Sequence, residues 1–138
     1  MNPLQRLLLG PGRLPDGLAA SLRAEGMVIL VEGAVGTVTH RHLRAPGRRA
    51  NWKKTLVTAS IAVSTKRFVV NVRRYKHIDV PIPEMPHYKV VATNPEPDLL
   101  KVEYDLSVTH PTWQGHVELN LHTEEAPRIT RTLSQSQQ

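Results

Sequence analysis

Eleven Lys or Arg lie between Arg41 and Lys76, and no Asp or Glu interrupts them. The rest of the chain carries seven basic and twelve acidic side chains, so the net +6 is a cationic third set against a mildly acidic remainder. Such asymmetry speaks of partners rather than of fold. The densest part is Arg41, Arg44, Arg48, Arg49, Lys53 and Lys54, which straddle Pro46-Gly47. They are expected to form a mobile cationic loop. Guanidinium forks suit phosphate because they can bind it bidentately. Each basic side chain near an anionic leaflet is worth ~1 kcal/mol before ordering costs. Trp52 sits among them, and an indole with an apolar body and a polar N–H suits the headgroup level. Against this stands the plainer reading of a solvated loop with Trp52 folded onto the core.

A second basic group, Arg73, Arg74 and Lys76, lies at the far end of a strand that starts near Lys66 and Arg67. At ~3.3 Å per residue it is about 20 Å from that turn. Arg73, Arg74 and Lys76 are expected instead near the 44–54 loop, so that both could build one phosphate site. The competing reading is edge-strand protection by charge. Nucleic acid is a weaker partner: only Trp52, Phe68 and Tyr75 lie in the basic third, and single strands need several stacking platforms. What remains is sequence-indifferent binding of the phosphate backbone.

Other chemistry has less support. His40 and His42 at i, i+2 would share a strand face that zinc can use, but a third ligand would have to come from His110, His116 or His122. Exposed or pH-responsive histidine is the better reading, and no metal is assigned. There is no Gly-rich phosphate loop, no His-Glu-x-x-His and no Gly-x-Ser-x-Gly. Glu103 and Asp105 alternate with core residues and read as surface carboxylates. No catalytic residue and no cofactor is assigned; a barrel cavity used by an enzyme or carrier is the alternative.

The elements that must position these residues are mostly strands. A length of 138 residues suits one domain with its own core, and the 4% aromatic content means that Val, Leu, Ile and Ala must build it. Without cysteine there is no disulfide and no thiolate site. No apolar run approaches ~18–20 residues, and the Leu cluster of MNPLQRLLLGPGRLP is cut by Gly and Pro, so a cytoplasmic protein is expected, with a membrane-peripheral place open to it.

Residues 1–25 read as an N-terminal extension, with a short helix opened by Asp16 and stopped by Gly26. Residues 26–124 read as the main domain. Met27 to Val31 forms a buried strand, Glu32-Gly33 a tight turn, and Val35 to Arg44 a second strand. In Leu56 to Ser64, Val57, Ala59, Ile61 and Val63 share one face and Thr58, Ser60 and Ser64 the other. Thr65-Lys66 turns the chain into Phe68, Val70 and Val72. Further strands follow at Ile78–Ile82 and from Tyr88. Asn94-Pro-Glu-Pro-Asp98 reads as a turn, then come strands at Leu100–Leu106 and Val117–Leu121. Residues 125–138 read as a short helix or a tail, with the final SQSQQ disordered. Seven or eight short strands imply an antiparallel barrel or sandwich.

The central hairpin, Ile61-Ala-Val-Ser-Thr-Lys-Arg-Phe-Val-Val70, resembles that of bacterial pleckstrin-homology-like and GRAM-type domains. The Ala24-Glu25-Gly26 entry, the Arg44-to-Arg49 loop and Ile78-Asp-Val-Pro81 are similar in order. This resemblance covers roughly residues 24 to 123. It implies an antiparallel split β-barrel (PH-like), with a C-terminal helix plugging one mouth, that binds phosphoinositides, other lipids or protein segments. Fold analogy alone does not give function. The expectation is a non-enzymatic binding module that meets an anionic membrane surface or phosphorylated headgroup. Arg48 and Arg49 would contact phosphate, Lys53 and Lys54 would supply attraction, and Trp52 would insert. The alternatives are a protein-interaction domain with an acidic partner and sequence-indifferent nucleic-acid binding. Oligomeric state stays open.

Overall fold

The structure, a computed structural model, describes residues 14–72, 75–109 and 112–136. The lead-in through residue 13, Arg73, Arg74, His110, Pro111 and the last two residues lie outside them. Helix α1 (Asp16–Glu25) precedes β1 (Met27–Ala45), β2 (Arg48–Ser64), β3 (Arg67–Val72) and β4 (Tyr75–Pro81). A 3-10 turn at Ile82–Glu84 leads to β5 (Val91–Glu96) and β6 (Leu99–Asp105). Helix α2 (Leu106–Thr109), β7 (Gln114–His122) and helix α3 (Ala126–Ser136) complete the chain. The strands form one antiparallel sheet in the order β4-β3-β2-β1-β7-β6-β5. The expected mostly-β, antiparallel architecture with a short N-terminal helix is observed, its sheet curled into a half-barrel, and of the two readings of the C-terminal segment the helix is the one found.

The long strand β1 curls the sheet. It pairs with β2 from Met27 to Ala45, but with β7 only from Val35 to Arg44. Glu32-Gly33, expected to be a tight turn, is instead a bulge inside β1, where the register against β2 shifts between Val31 and Ala34. Gly33 takes φ 75° there. A glycine in that region lets a strand bend without ending it. Gly36 answers a different need. A Cβ on it would lie 1.8 Å from the Asn120 carbonyl oxygen, so β1 and β7 approach as they do only because no side chain intervenes.

The inner face of the sheet holds the main core. Val57, Ala59, Ile61 and Val63 of β2 meet Phe68, Val70 and Val72 of β3, and Leu100, Val102, Val117, Leu119 and Leu121 from the other half. Helix α3 closes this face with Ala126, Ile129 and Leu133, at the i, i+3, i+7 spacing that puts them on one side. Thr130 donates to Asn94 Oδ1 at 2.6 Å, tying α3 to β5. The tail is therefore helical through Ser136, not disordered from Ser134, because its apolar stripe has a core to cover.

The opposite face of β2 and β3 is buried too. Leu14, Ala19 and Leu22 pack with Ala62 and Val69 into a second apolar cluster. Full burial of a leucine such as Leu22 contributes roughly 1.5–3 kcal/mol. A polar clamp fixes the helix end. Arg67 holds Glu25 at 2.9 Å and Asp79 at 2.9 Å, and also donates to Ser21 Oγ at 3.0 Å. Ser64 Oγ accepts from the N–H groups of Lys66 and Arg67 and donates to Glu25 at 2.9 Å. The Thr65-Lys66 turn is thus locked to α1.

Two smaller differences have local causes. Asn94 to Glu96 belongs to β5, and only Pro97-Asp98 turns; Pro95 is tolerated because β5 is an edge strand. The strand expected from Tyr88 starts at Val91, after Tyr88 and Lys89 are held in turns by N–H bonds to Glu84 and Pro86.

Candidate functional site

The expected mobile loop is a β-hairpin. Paired residues run Thr39 with Lys54, His40 with Lys53, Arg41 with Trp52, Leu43 with Ala50, Arg44 with Arg49 and Ala45 with Arg48. Only Pro46-Gly47 turns. Strand pairing continues through the cationic stretch because β1 is backed by β7 as far as Arg44. His42 takes φ 54°, and the register against β7 shifts between Arg41 and Arg44. That left-handed residue twists the hairpin and returns Leu43 to the core. His42 itself is exposed and His40 half-buried, so the two do not form the matched pair the spacing suggests. Among the described residues no three His, Cys, Asp or Glu converge as a metal site would need.

Pairing assigns faces. Arg41 and Trp52 stand together with Lys54, whereas Lys53, opposite His40, points to the other side. Trp52 is 61% exposed, the most exposed large apolar side chain described, and is not folded onto the core. Arg44 and Arg49 face each other across the ladder nearer the tip. Arg44 donates to Asn51 Oδ1 at 3.2 Å and to its neighbour's carbonyl, the Leu43 oxygen, at 2.8 Å. Its side chain is thereby held along the ladder.

Among the described side chains of this array, carboxylates reach Arg41. Arg41 lies 3.8 Å from Glu118, which Lys101 also meets at 3.1 Å. Burial alone would raise the Glu118 carboxyl, but hydrogen bonds from Lys101 and Asn120 and the nearby cations outweigh it and hold it below its ordinary value. Beside them His116 meets Glu103 at 3.2 Å. Among the described residues no carboxylate pairs with Arg49, Lys53 or Lys54. For Arg48 the strand places the main chain, opposite Ala45.

Of the second basic group only the main chain of Lys76 is described. Lys76 pairs with Asn71, and Asn71 with Ser60, so its main chain lies level with residue 60 of β2. Trp52 is eight residues further along, roughly 26 Å. Arg73 and Arg74 are outside the described residues. The geometry described here is therefore that of the hairpin.

Sequence reasoning missed the main-chain edge beside these cations. Strand β3 pairs with β2 only from Ala59 to Val63. Residues 48–56 therefore have β1 on one side and no strand on the other among the described residues. Trp52, Lys54 and Leu56 alternate on one face of that edge, and Leu56 is 43% exposed. The alternation starts upstream of the clear core pattern, and that was the available signal. The sequence matches no family model and no curated protein.

Proposed function

We propose that this domain is a non-enzymatic binding module of pleckstrin-homology-like type that recognises anionic lipid headgroups through the β1–β2 hairpin. The observation that carries the reading is Trp52, exposed on a paired strand ladder beside Lys53, Lys54 and Arg49, which meet no carboxylate among the described residues. An exposed indole among basic side chains suits the boundary between headgroups and acyl chains. Arg49, paired across the ladder with Arg44, would take phosphate oxygens, with Arg48 adjoining in sequence. Lys53 and Lys54 add attraction from both faces. Arg41 contributes less because Glu118 competes for it. A peripheral place on the cytoplasmic side of a membrane follows from this reading. No helix among the described residues is long and apolar enough to cross a membrane.

The test is vesicle co-sedimentation of the wild type and a variant carrying Arg48→Gln, Arg49→Gln, Lys53→Gln and Lys54→Gln. Binding to anionic but not neutral vesicles, persisting at physiological salt and lost in the variant, is the expected result. Absence of binding to any vesicle would sink the reading.

A further inference from the structure

The open edge of β2 has a use that the headgroup reading does not draw on. Residues 48–56 present about nine residues of main chain, roughly 30 Å, paired to β1 on one side only among the described residues. A strand in that position leaves alternate N–H and C=O groups aimed outward, a template for another strand. We infer that this edge accepts an extended acidic segment of a partner protein, added to the sheet as a further strand. The occupant follows from charge. Arg49, Lys53 and Lys54 stand along the edge without carboxylate partners among the described residues. A second copy pairing there would set these cations against their own kind, and like charges directly opposite destabilise a ladder. The cations that deter self-pairing therefore select an acidic guest.

The faces refine the guest. Trp52 and Leu56 flank Lys54 on one side of the strand, while Lys53 lies on the other. A segment alternating carboxylate and apolar residues would place apolar side chains beside Trp52 and Leu56. Main-chain hydrogen bonds would supply affinity and the side-chain pairing would supply register. The interaction uses the main chain at the edge, whereas headgroup binding uses the cationic face.

The experiment uses the full chain and a fluorescein-labelled ten-residue peptide of alternating Glu and Val, followed by anisotropy. A second peptide of identical sequence is N-methylated at every residue, which removes the N–H donors of both edges and keeps every charge. The unmodified peptide should bind, and methylation should weaken it roughly tenfold or more through lost hydrogen bonds. Lys53→Glu with Lys54→Glu should weaken it further and admit a Lys-Val peptide instead, with the thermal midpoint of the protein unchanged. Equal binding of the methylated peptide would overturn strand addition in favour of charge alone. Binding of neither peptide would overturn the edge as a docking site. Concentration-dependent dimerisation abolished by Lys53→Glu would overturn the acidic guest in favour of a second copy.

Discussion

Arg67 and Arg49 lie on the same pair of strands' worth of sequence, in the same unbroken basic run, yet their surroundings are opposite. Arg67 bridges Glu25 of α1 and Asp79 of β4 and is largely shielded. Burial opposes its charge, but hydrogen bonds and ion pairs with the two carboxylates outweigh that and raise it above the ordinary arginine value. Arg49 is exposed, paired across the ladder with another arginine. One end of β2 is sealed by a helix and a charge clamp, and the other is left cationic, with Trp52 in water. Arg67 at the sealed end holds elements of the fold together; Arg49, Lys53 and Lys54 at the open end meet no carboxylate among the described residues. A module built this way can lose its hairpin charge without losing its structure.

Substitutions on the sealed side should therefore cost stability, and those at the hairpin should cost binding. Gly36→Val is expected to be the most damaging, since its Cβ would strike the Asn120 main chain and part β1 from β7. A loss above ~4 kcal/mol, or failure to fold, is expected in chemical denaturation. Ile129→Ala, which removes the centre of the α3 stripe, should cost about 2–5 kcal/mol by the same measurement. Arg67→Leu removes the cation that Glu25 and Asp79 share and should cost about 1–3 kcal/mol, less than a fully buried pair because water still reaches the clamp. Trp52→Ala should change stability by no more than ~0.5 kcal/mol while abolishing vesicle binding. If Trp52→Ala unfolds the protein as Ile129→Ala does, the contrast between the two ends is wrong.

The two ends also differed in how readable they were. The period-two pattern of Val57 to Val63 and of Phe68 to Val72 identified the core face of the central hairpin, and Thr65-Lys66 its turn. Local alternation sufficed because from Ala59 to Val63 and from Phe68 to Val72 each strand has a neighbour on both sides. Glu32-Gly33 and Pro46-Gly47 both looked like chain breaks. One is a bulge within β1 and the other a two-residue turn, because pairing with β2 and β7 overrides local turn preference. The burial of Thr58 and Ser60 on the outer face was unreadable, since nothing in a strand's own sequence says that its second face is covered. For the candidate site, residue identity was legible and arrangement was not. Charge density singled out the hairpin, but only the register separates Lys53 from Lys54 and leaves Lys76 far away.

The smallest effect tests whether carboxylates away from the hairpin tip are satisfied as the clamp is. Asp105 accepts from the Ser107 N–H at 2.9 Å and its hydroxyl at 2.7 Å, and these bonds hold its carboxyl below the ordinary range. Glu118 is held low as well. In the unfolded chain such groups titrate near ~3.9 and ~4.3. The unfolded state then binds more protons than the fold as the pH drops through that region. The stabilisation is fully present above the unfolded values and is lost as pH falls through the lower folded ones. Each group is partly exposed, so screening limits the effect to roughly a few tenths of a kcal/mol. Asp105→Asn keeps an acceptor oxygen for Ser107 and removes the titration. Combined with Glu118→Gln, it should flatten the decline in thermal midpoint between pH 5 and 3. An unchanged slope in the double variant would mean that these carboxylates are as unanswered as the cations of the hairpin.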